Sequence, residues 1–521
     1  MSTMRERLAY IEAERARIRQ MGGPDKVQRQ HERGKLTARE RLARFFDDGE
    51  YFEIGIHGTQ MGSADPTDKP PADAVICGWG KVCGRHVCAA AYDFTVKGGS
   101  IGMVGETKVS RLRELALRCR MPMVWFIDSA GARIDPKSAG SGDFLSLFAG
   151  TGHLFREQVI MSGVVPMVAA MVGPGAAGTA YIPGLADFVP MVRDRGSMAL
   201  GGPPLVKAVT GQEISEQELG GSKVHCEVSG VGDLEVPDEQ ACLDVIKDYL
   251  SYMPQHCEER PPIVPCNDPI DRREEALLDV VPDNPRQAYD MYDVLRLVVD
   301  HGRFLDIKPR WARNIITCLA RIGGYPVGIV ANNPRVLGGI LDVHSADKAA
   351  HFMQICDAFN IPLVFLMDVP GFMVGSKVEH EGIIRHGAKM LHIMAAATVP
   401  KLTVVVRKGY GAGYYVMAGR AYEPDLLVAW PGAEISVMGA EGMVGIAGRK
   451  LFGDQEPPPE AKAQMVAMLQ KHIDILRVAG WGLIDDVIDP RDTRRLLALS
   501  LQMSWNRKVE RPYRKRGIIP V

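Results

Sequence analysis

The chain has 521 residues, with 62 Lys and Arg against 63 Asp and Glu, and a formal net charge of −1. That length predicts more than one folded unit, and 46% hydrophobic with 24% charged residues is ordinary globular composition that excludes whole-chain disorder. The near-neutral balance argues against nucleic acid or an anionic membrane surface as partner, since both demand a basic excess, and no window approaches eighteen uninterrupted apolar residues.

The first segment, MSTMRERLAYIEAERARIRQ, is charged from Arg5 onward and lacks the apolar core of a secretory signal. Ten scattered cysteines show no C-x-x-C spacing, which argues against a zinc ribbon or thioredoxin-type motif. They read as reduced, mostly buried thiols of a cytoplasmic protein. The first fifty residues read as a charged helical arm, broken at Gly22-Gly23-Pro24 and Gly34, with helical periodicity in LTARERLARFF. The arm opens a first α/β domain, expected over residues 1–255. Residues 256–290, rich in proline and charge, read as a linker. A second α/β domain is expected over 291–521.

A search for internal repeats decides the architecture. Residues 82–133 overlay 322–373 without a gap, at an offset of 240 (Gly84 onto Gly324), with eleven identities in 52 positions. Average residue usage would give about three. The identities include Gly98, Gly99, Lys108, Asp128 and Gly131. Ala176-Ala177-Gly178 and Gly411-Ala412-Gly413 form a further pair at an offset of 235. The overlay predicts one fold used twice.

Each half follows one order of elements. A strand (VCAAAY; VGIVAN) enters a loop with paired glycines, and a helix follows (ETKVSRLRELALRCR; SADKAAHFMQICDAF). A buried strand (PMVWFID; PLVFLMD) then ends in Asp-x-x-Gly. A second helix follows (FLSLFAGTGHLFREQVIMSG; IIRHGAKMLHIMAAAT), and a further buried strand (VPMVAAMVG; VPKLTVVVRK) runs into a glycine-rich turn. Such alternation means a mostly parallel sheet covered by helices, with ligands at the carboxyl ends of its strands. Asp128, Gly178, Asp368 and Gly413 all fall there.

Several motifs read better as structure. Gly173-Pro-Gly-Ala-Ala-Gly178 matches G-x-G-x-x-G, but a proline follows its first glycine and it sits mid-domain rather than at a first βα turn. Gly98-Gly-Ser100-Ile-Gly102 matches a nucleophile elbow, yet the other copy has Ile340 in place of Ser100, so Ser100 reads as a loop residue. His380-Glu381 begins a zinc motif that Ile384 leaves incomplete. Asp128 and Asp368 could form a catalytic pair but read better as caps of the turn or helix that follows, and Lys108 and Lys348 read as residues on solvated helix faces. The glycine-rich turns carry the functional claim. A small-residue turn between a buried strand and a helix aims backbone N–H groups outward with no side chain in the way. Such donors can hold a developing oxyanion, and two turns suit a reaction with two enolate-like partners.

GKLTARERL (35–43), DFTVKGGSIG (93–102), DSAGARI (128–134), TGQEISEQELGG (210–221), CDAFNIPLVFLMDVPGF (356–372), IIRHGAKML (383–391), VPKLTVVVRKGYGAGYYVM (399–417) and WPGAEISVMGAEG (430–442) together resemble the carboxyltransferase (β) subunits of biotin-dependent acyl-CoA carboxylases, propionyl-CoA carboxylase type. The resemblance spans nearly the whole chain. It implies an α/β fold of two duplicated crotonase-like domains with ββα-spiral cores. It also implies a homohexamer, a trimer of dimers, with each active site formed between the N-terminal domain of one subunit and the C-terminal domain of another. The implied reaction moves a carboxyl group from carboxybiotin to the α carbon of a short acyl-CoA. The biotin enolate takes the proton, so no side-chain base is needed. The implied thioester oxyanion hole is the N–H pair of Ala177 and Gly178, and the implied biotin hole that of Ala412 and Gly413. Gly131 and Ala132 are the implied substrate-binding residues of the DSAGARI motif.

The chain departs from the propionyl-type pattern at both turns. Ala177 stands where glycine is usual, and Ala412-Gly413 replaces Gly-Ala. Tyr415, at the implied acyl pocket, stands where propionyl-type subunits carry Asp and is also seen in methylcrotonyl-type subunits. GRAYEPDLLVAWP leans toward the methylcrotonyl type, which carboxylates a γ carbon, whereas RKGYGAGYYVM keeps the propionyl-type Arg-Lys. No biotinylation segment, ATP-binding domain or metal-ligand set is expected in this chain. Biotin carboxylase and the biotin carrier are therefore expected on a partner α subunit. A biotin-dependent acyl-CoA decarboxylase subunit and a non-catalytic scaffold for carrier domains are the alternatives.

Overall fold

The computed structural model describes residues 3–60, 69–133, 152–452, 458–513, 515 and 517–521. Ile134 of the DSAGARI motif and the first part of the helix expected over 144–163 lie outside them. The described part of that helix is His153–Met161.

Two compact units divide the chain, Met1–Glu259 and Arg260–Val521. Unit 1 carries strands β1 (Tyr51–Glu53), β2 (Val75–Val82), β3 (Arg85–Tyr92), β4 (Met123–Ser129), β5 (Met167–Ala176), β6 (Pro190–Val192), β7 (Ser197–Ala199) and β8 (Leu234–Val236). They form a sheet in the order β1-β2-β3-β4-β5-β6-β8, with β7 paired to β5. Unit 2 carries β9 (Phe304–Ile307), β10 (Ile315–Ile322), β11 (Tyr325–Asn332), β12 (Leu363–Val369), β13 (Lys401–Tyr410), β14 (Leu426–Ala429), β15 (Glu434–Ser436) and β16 (Asp486–Val487). Its sheet has the matching order β9-β10-β11-β12-β13-β14-β16, with β15 paired to β13. In both, an antiparallel meander leads into parallel strands from β3 or β11 onward. The duplication is thus one of topology.

Continuous apolar runs form β4, β5, β12 and β13 because these central strands are buried on both faces. Met123, Trp125 and Ile127 share one core cluster with Met167, Ala169 and Met171. In unit 2, Val364 and Leu366 share a cluster with Leu402, Val404 and Val406. Intervening residues such as Phe126 and Phe365 are equally buried on the other face.

The N-terminal arm folds as helices Met4–Arg19, Pro24–Glu32 and Ala38–Phe45. The last starts at a capping box in which Thr37 and Glu40 satisfy each other's backbone N–H groups. Phe45 meets Phe126 edge-on at 5.3 Å, fixing this helix to the centre of the sheet. Truncating such a ring costs about 3–5 kcal/mol. The proline-rich stretch expected as a linker packs mostly into unit 2, where Leu277 and Tyr289 join the core.

The two repeated lysines are not solvated. Lys108 and Lys348 are 6% and 2% exposed. The Lys108 ammonium donates to the carbonyls of Ala72 and Val75 at 2.8 and 2.7 Å. That of Lys348 donates to Lys308, Trp311 and Ile315 at 2.8, 3.0 and 2.8 Å. Carbonyls take up the three donors of the ammonium, while burial lowers the Lys348 pKa against the opposing charge of Asp306. Each lysine holds a left-handed turn, with Ala72, Asp73 and Ala74 at φ 50, 49 and 63° in unit 1 and Lys308 and Ala312 at 55 and 45° in unit 2. Helix periodicity did not reveal this, because the accepting carbonyls lie more than thirty residues earlier. No helix among the described residues is long and apolar enough to cross a membrane.

Candidate functional site

In unit 1 the glycines after the apolar run do not turn the chain. Strand β5 continues through Gly173-Pro174-Gly175 to Ala176, and Gly175 pairs with Ser129 across the sheet. The turn comes at Ala177, with φ 52° and ψ −120°, and the helix Gly178–Gly184 starts immediately after it. A non-glycine residue in this region costs on the order of 1–3 kcal/mol. The Ala177 N–H donates to the Ala199 carbonyl of β7 at 3.1 Å. Gly178, as the first helical residue, is among the four whose N–H groups have no partner within the helix. Ala177 is exposed and Gly178 half-buried. The turn therefore presents the Gly178 amide, whereas the Ala177 amide serves the sheet.

Unit 2 repeats the arrangement, one residue out of step with the sequence overlay. Gly409 pairs with Val369 as Gly175 pairs with Ser129. The structural offset at the turns is therefore 234 (Gly175 onto Gly409) rather than 235. Gly411 then matches Ala177, and Ala412 matches Gly178. The backbone agrees, because Gly411 has φ 56° beside the 52° of Ala177. A slip of one residue is invisible in a run of small side chains, and strand pairing fixes it. The helix Gly411–Val416 begins at this turn, so Ala412 and Gly413 are its second and third residues, also without partners inside the helix. Ala412 is exposed and Gly413 buried. A Cβ on Gly413 would lie 2.7 Å from a methyl group of Val369, so glycine lets this helix press on the end of β12.

A buried charge network supports each turn. Asp128, fully buried, accepts from Lys35 at 2.6 Å, Gln30 at 2.9 Å and Arg41 at 3.0 Å. Arg41 also holds Glu239, with Nε 2.6 Å from its carboxylate. Burial lowers the Lys35 pKa, while the Asp128 charge pulls it back up. In unit 2, Asp368 accepts from Tyr289 at 2.9 Å and from Arg407 Nε at 3.0 Å. Desolvation raises the Asp368 pKa, opposed by the Arg407 charge. The two aspartates are not turn caps. Each sits where the central strands would otherwise enclose an unpaired carboxylate, so its oxygens take buried cations.

Gly131 has φ 93°, and a Cβ there would stand 2.7 Å from the Ala176 carbonyl. Its N–H donates to Ser129 Oγ at 3.1 Å. Ala132 is exposed and bridges to Ile101. Gly131 thus lies beside Ala176, next to the Ala177 turn. Ser100 lies in a loop, its hydroxyl donating to the Lys97 carbonyl. Tyr415 is 48% exposed, its ring 6.0 Å from that of Tyr422. His380 and Glu381 join no metal site, and no group of three or more His, Cys, Asp or Glu among the described residues is arranged to hold a metal ion.

Sequence reasoning missed the supports. Lys35, Arg41 and Tyr289 were legible only as charged or aromatic residues of the arm and the supposed linker. One signal was available. Gly173 and Arg407 occupy the same place at the 234 offset, and the cation missing from one half had to come from elsewhere.

Comparison with known proteins extends this geometry. The chain matches the carboxyl transferase domain over residues 29–519. It is 41% identical to a propionyl-CoA carboxylase, carboxyltransferase subunit, of Haloferax mediterranei, with 100% of both chains covered. It is 42% identical to the methylmalonyl-CoA carboxyltransferase 12S subunit of Propionibacterium freudenreichii subsp. shermanii, covering 100% of this chain and 98% of that one. It is 38% identical to the methylmalonyl-CoA decarboxylase subunit alpha of Propionigenium modestum, again over 100% of both. Among solved structures, a hexameric transcarboxylase 12S with methylmalonyl-coenzyme A and methylmalonic acid bound superposes with a TM-score of 0.93 at 41% identity, covering 100% of both chains.

Proposed function

The chain belongs to the carboxyl transferase domain family and consists of two duplicated crotonase-like domains, and we propose that it is the carboxyltransferase subunit of a biotin-dependent acyl-CoA carboxylase. It moves a carboxyl group from carboxybiotin, carried on a partner subunit, to the α carbon of a short acyl-CoA such as propionyl-CoA. The observation that carries this reading is the repeated turn. In both units a buried central strand ends at a residue of positive φ and a helix starts beside it.

Carboxybiotin supplies the activated carboxyl group. The chain's own part is to hold two oxygens as negative charge develops on them. In unit 1 the Gly178 N–H faces the thioester oxygen. Ala177, whose N–H is committed to Ala199, contributes the positive φ that turns Gly178 outward. Gly131 and Ala132 form the adjoining wall. In unit 2 the N–H groups of Ala412 and Gly413 receive the biotin oxygen, and Gly411, without a side chain, leaves the approach open. Each such donor is worth on the order of 10²–10³ in rate. Tyr415 lines the acyl pocket.

The partner is an α chain carrying biotin carboxylase and the biotin carrier, and the assembly is a homohexamer like that of the transcarboxylase 12S structure. Ten free cysteines fit a reducing cytoplasm. A second reading, decarboxylation of an acyl-CoA by the same transfer in reverse, is favoured by the 38% identity to the methylmalonyl-CoA decarboxylase subunit.

The test is reconstitution with the α partner, ATP and bicarbonate, following phosphate release with acetyl-, propionyl-, butyryl- and methylcrotonyl-CoA. Turnover above background with a short saturated acyl-CoA is expected. Background release with all four would defeat the short-chain reading, and turnover with methylcrotonyl-CoA alone would reassign the substrate.

A further inference from the structure

The two units share a backbone bridge beside the turn but lock it with different side chains. In unit 1, Ile101 N–H donates to the Gly131 carbonyl at 2.9 Å and Arg133 N–H to the Ile101 carbonyl at 3.1 Å. In unit 2, Leu341 donates to Gly371 at 3.0 Å and Met373 to Leu341 at 2.7 Å. These pairs match at the 240 offset, so Met373 occupies the place of Arg133.

The side chains differ completely. Arg133, 8% exposed, forms an ion pair with Asp73, itself 1% exposed. Its Nε donates to Ser100 Oγ at 3.1 Å and its Nη2 to the Ser100 carbonyl at 2.9 Å. The other Asp73 oxygen accepts the Gly105 N–H at 2.7 Å, in the first turn of the helix Met103–Arg118. That helix has no side-chain cap of its own at Gly102, where a Cβ would stand 2.5 Å from both the guanidinium and the carboxylate. Asp73 is delivered by the left-handed turn 72–74, which Lys108 holds. In unit 2 the place of Asp73 belongs to Arg313, which is exposed. Met373 instead packs with Val343, Val378 and Ile383.

Unit 2 therefore acts as an internal control. The same bridge forms there without an ion pair: Met373 is packed on apolar side chains, Asn314 donates to the Ile340 carbonyl at 2.7 Å and to Asp342 at 3.3 Å, and Asp342 caps the helix by accepting the Ser345 N–H at 2.8 Å, so the fold does not require the ion pair. Burying two charges is costly, and apolar residues of similar volume often serve stability as well or better. What the pair adds is direction. A planar guanidinium with fixed donors ties the Ser100 loop, the Gly131-Ala132 loop and a helix start into one rigid corner. Gly131 in turn abuts the Ala176 carbonyl, next to the Ala177–Gly178 turn.

We propose that Asp73 and Arg133 are positioning residues for the thioester side of the site, setting the placement of the Gly131-Ala132 wall against the Gly178 amide. This rests on the carboxyltransferase reading, with acyl-CoA held by unit 1 and biotin by unit 2.

The test compares the full-length chain with Arg133→Met, which puts the unit 2 residue at this place, and with Arg133→Lys and Asp73→Asn. Carboxyl transfer from methylmalonyl-CoA to free biotin gives separate KM values for thioester and biotin. Amide hydrogen exchange across residues 98–133 gives a readout independent of transfer. Arg133→Met is expected to lower kcat/KM for the thioester by about tenfold to a hundredfold, the scale of a misplacement near 1 Å. The biotin KM and exchange in unit 2 stay unchanged, while Ile101 and Arg133-region amides exchange faster. Arg133→Lys keeps the charge but not the fork and falls between. Parallel loss of both KM values, or unchanged kinetics with unchanged exchange, overturns the proposal. Absence of transfer by the unaltered chain would sink the carboxyltransferase reading instead, and exchange across 98–133 would still decide the positioning claim. If Arg133→Met does not fold, the milder Arg133→Lys and Asp73→Asn carry the same comparison.

Discussion

Gly173 runs so close to Asp128 that a Cβ added to it would stand 2.1 Å from the carboxylate and 2.9 Å from the Lys35 ammonium. At the matching place in unit 2, Arg407 supplies its own cation to Asp368 at 3.0 Å. The duplicated aspartate is thus neutralised from outside the sheet in one unit and from the neighbouring strand in the other.

Gly173→Ala is expected to force Lys35 off Asp128 and destabilise the chain by about 3–5 kcal/mol, the scale for breaking a buried pair. Arg407→Gly should do comparable damage in unit 2 by leaving the Asp368 carboxylate with only the Tyr289 hydroxyl and the Lys408 N–H. Urea unfolding followed by circular dichroism checks both. Wild-type midpoints would mean that these networks relax freely.

Ala177 carries strain that its neighbours hold in place. Its φ of 52° is one that glycine adopts without cost. Ala177→Gly relieves the strain but adds freedom to the unfolded chain. The relief is the larger effect, so a gain of about 1 kcal/mol is expected, with transfer activity retained because the Gly178 amide is untouched. A lower thermal midpoint would show that the turn tolerates alanine without strain.

Asp187 is buried, and its carboxylate accepts the Met167 N–H at 2.7 Å. Desolvation, reinforced by Asp233, raises its pKa to about 7. The folded state therefore holds a proton that the unfolded state releases near pH 4. This contribution is full below about pH 4 and is lost as pH rises toward 7. Asp187→Asn should flatten that slope and stabilise the chain relative to wild type at pH 8. Parallel stability curves from pH 4 to 8 would refute the assignment.

Tyr415 stands half-exposed on the helix that follows the unit 2 turn. Tyr415→Asp should change the ranking of acetyl-, propionyl- and butyryl-CoA by kcat/KM in the reconstituted complex, with little change in melting temperature. An unchanged ranking would remove this residue from the acyl pocket.

The repeat, the α/β order and the glycine-rich turns were legible in the sequence because each is a local pattern. Strand and helix periodicity, paired glycines and the Asp-x-x-Gly ends survive without knowledge of what packs where. Three features were not legible. The register of the second turn slipped by one residue, because Ala and Gly runs align equally well at either offset and only the pairing of Gly409 with Val369 decides. Lys108 and Lys348 read as solvated, because their carbonyl partners come from distant left-handed turns. The cations beneath Asp128 come from the arm, 93 residues earlier for Lys35 and 87 for Arg41.

Residue order by itself determined two copies of one sheet and the places where backbone could meet ligand, since these follow from hydrophobic period and from the freedom of small residues. The folded chain alone decided which amides remain available, Gly178 rather than Ala177, and which buried charges hold them in place. Hydrogen-bond partnership and burial depend on segments that only three-dimensional packing brings together.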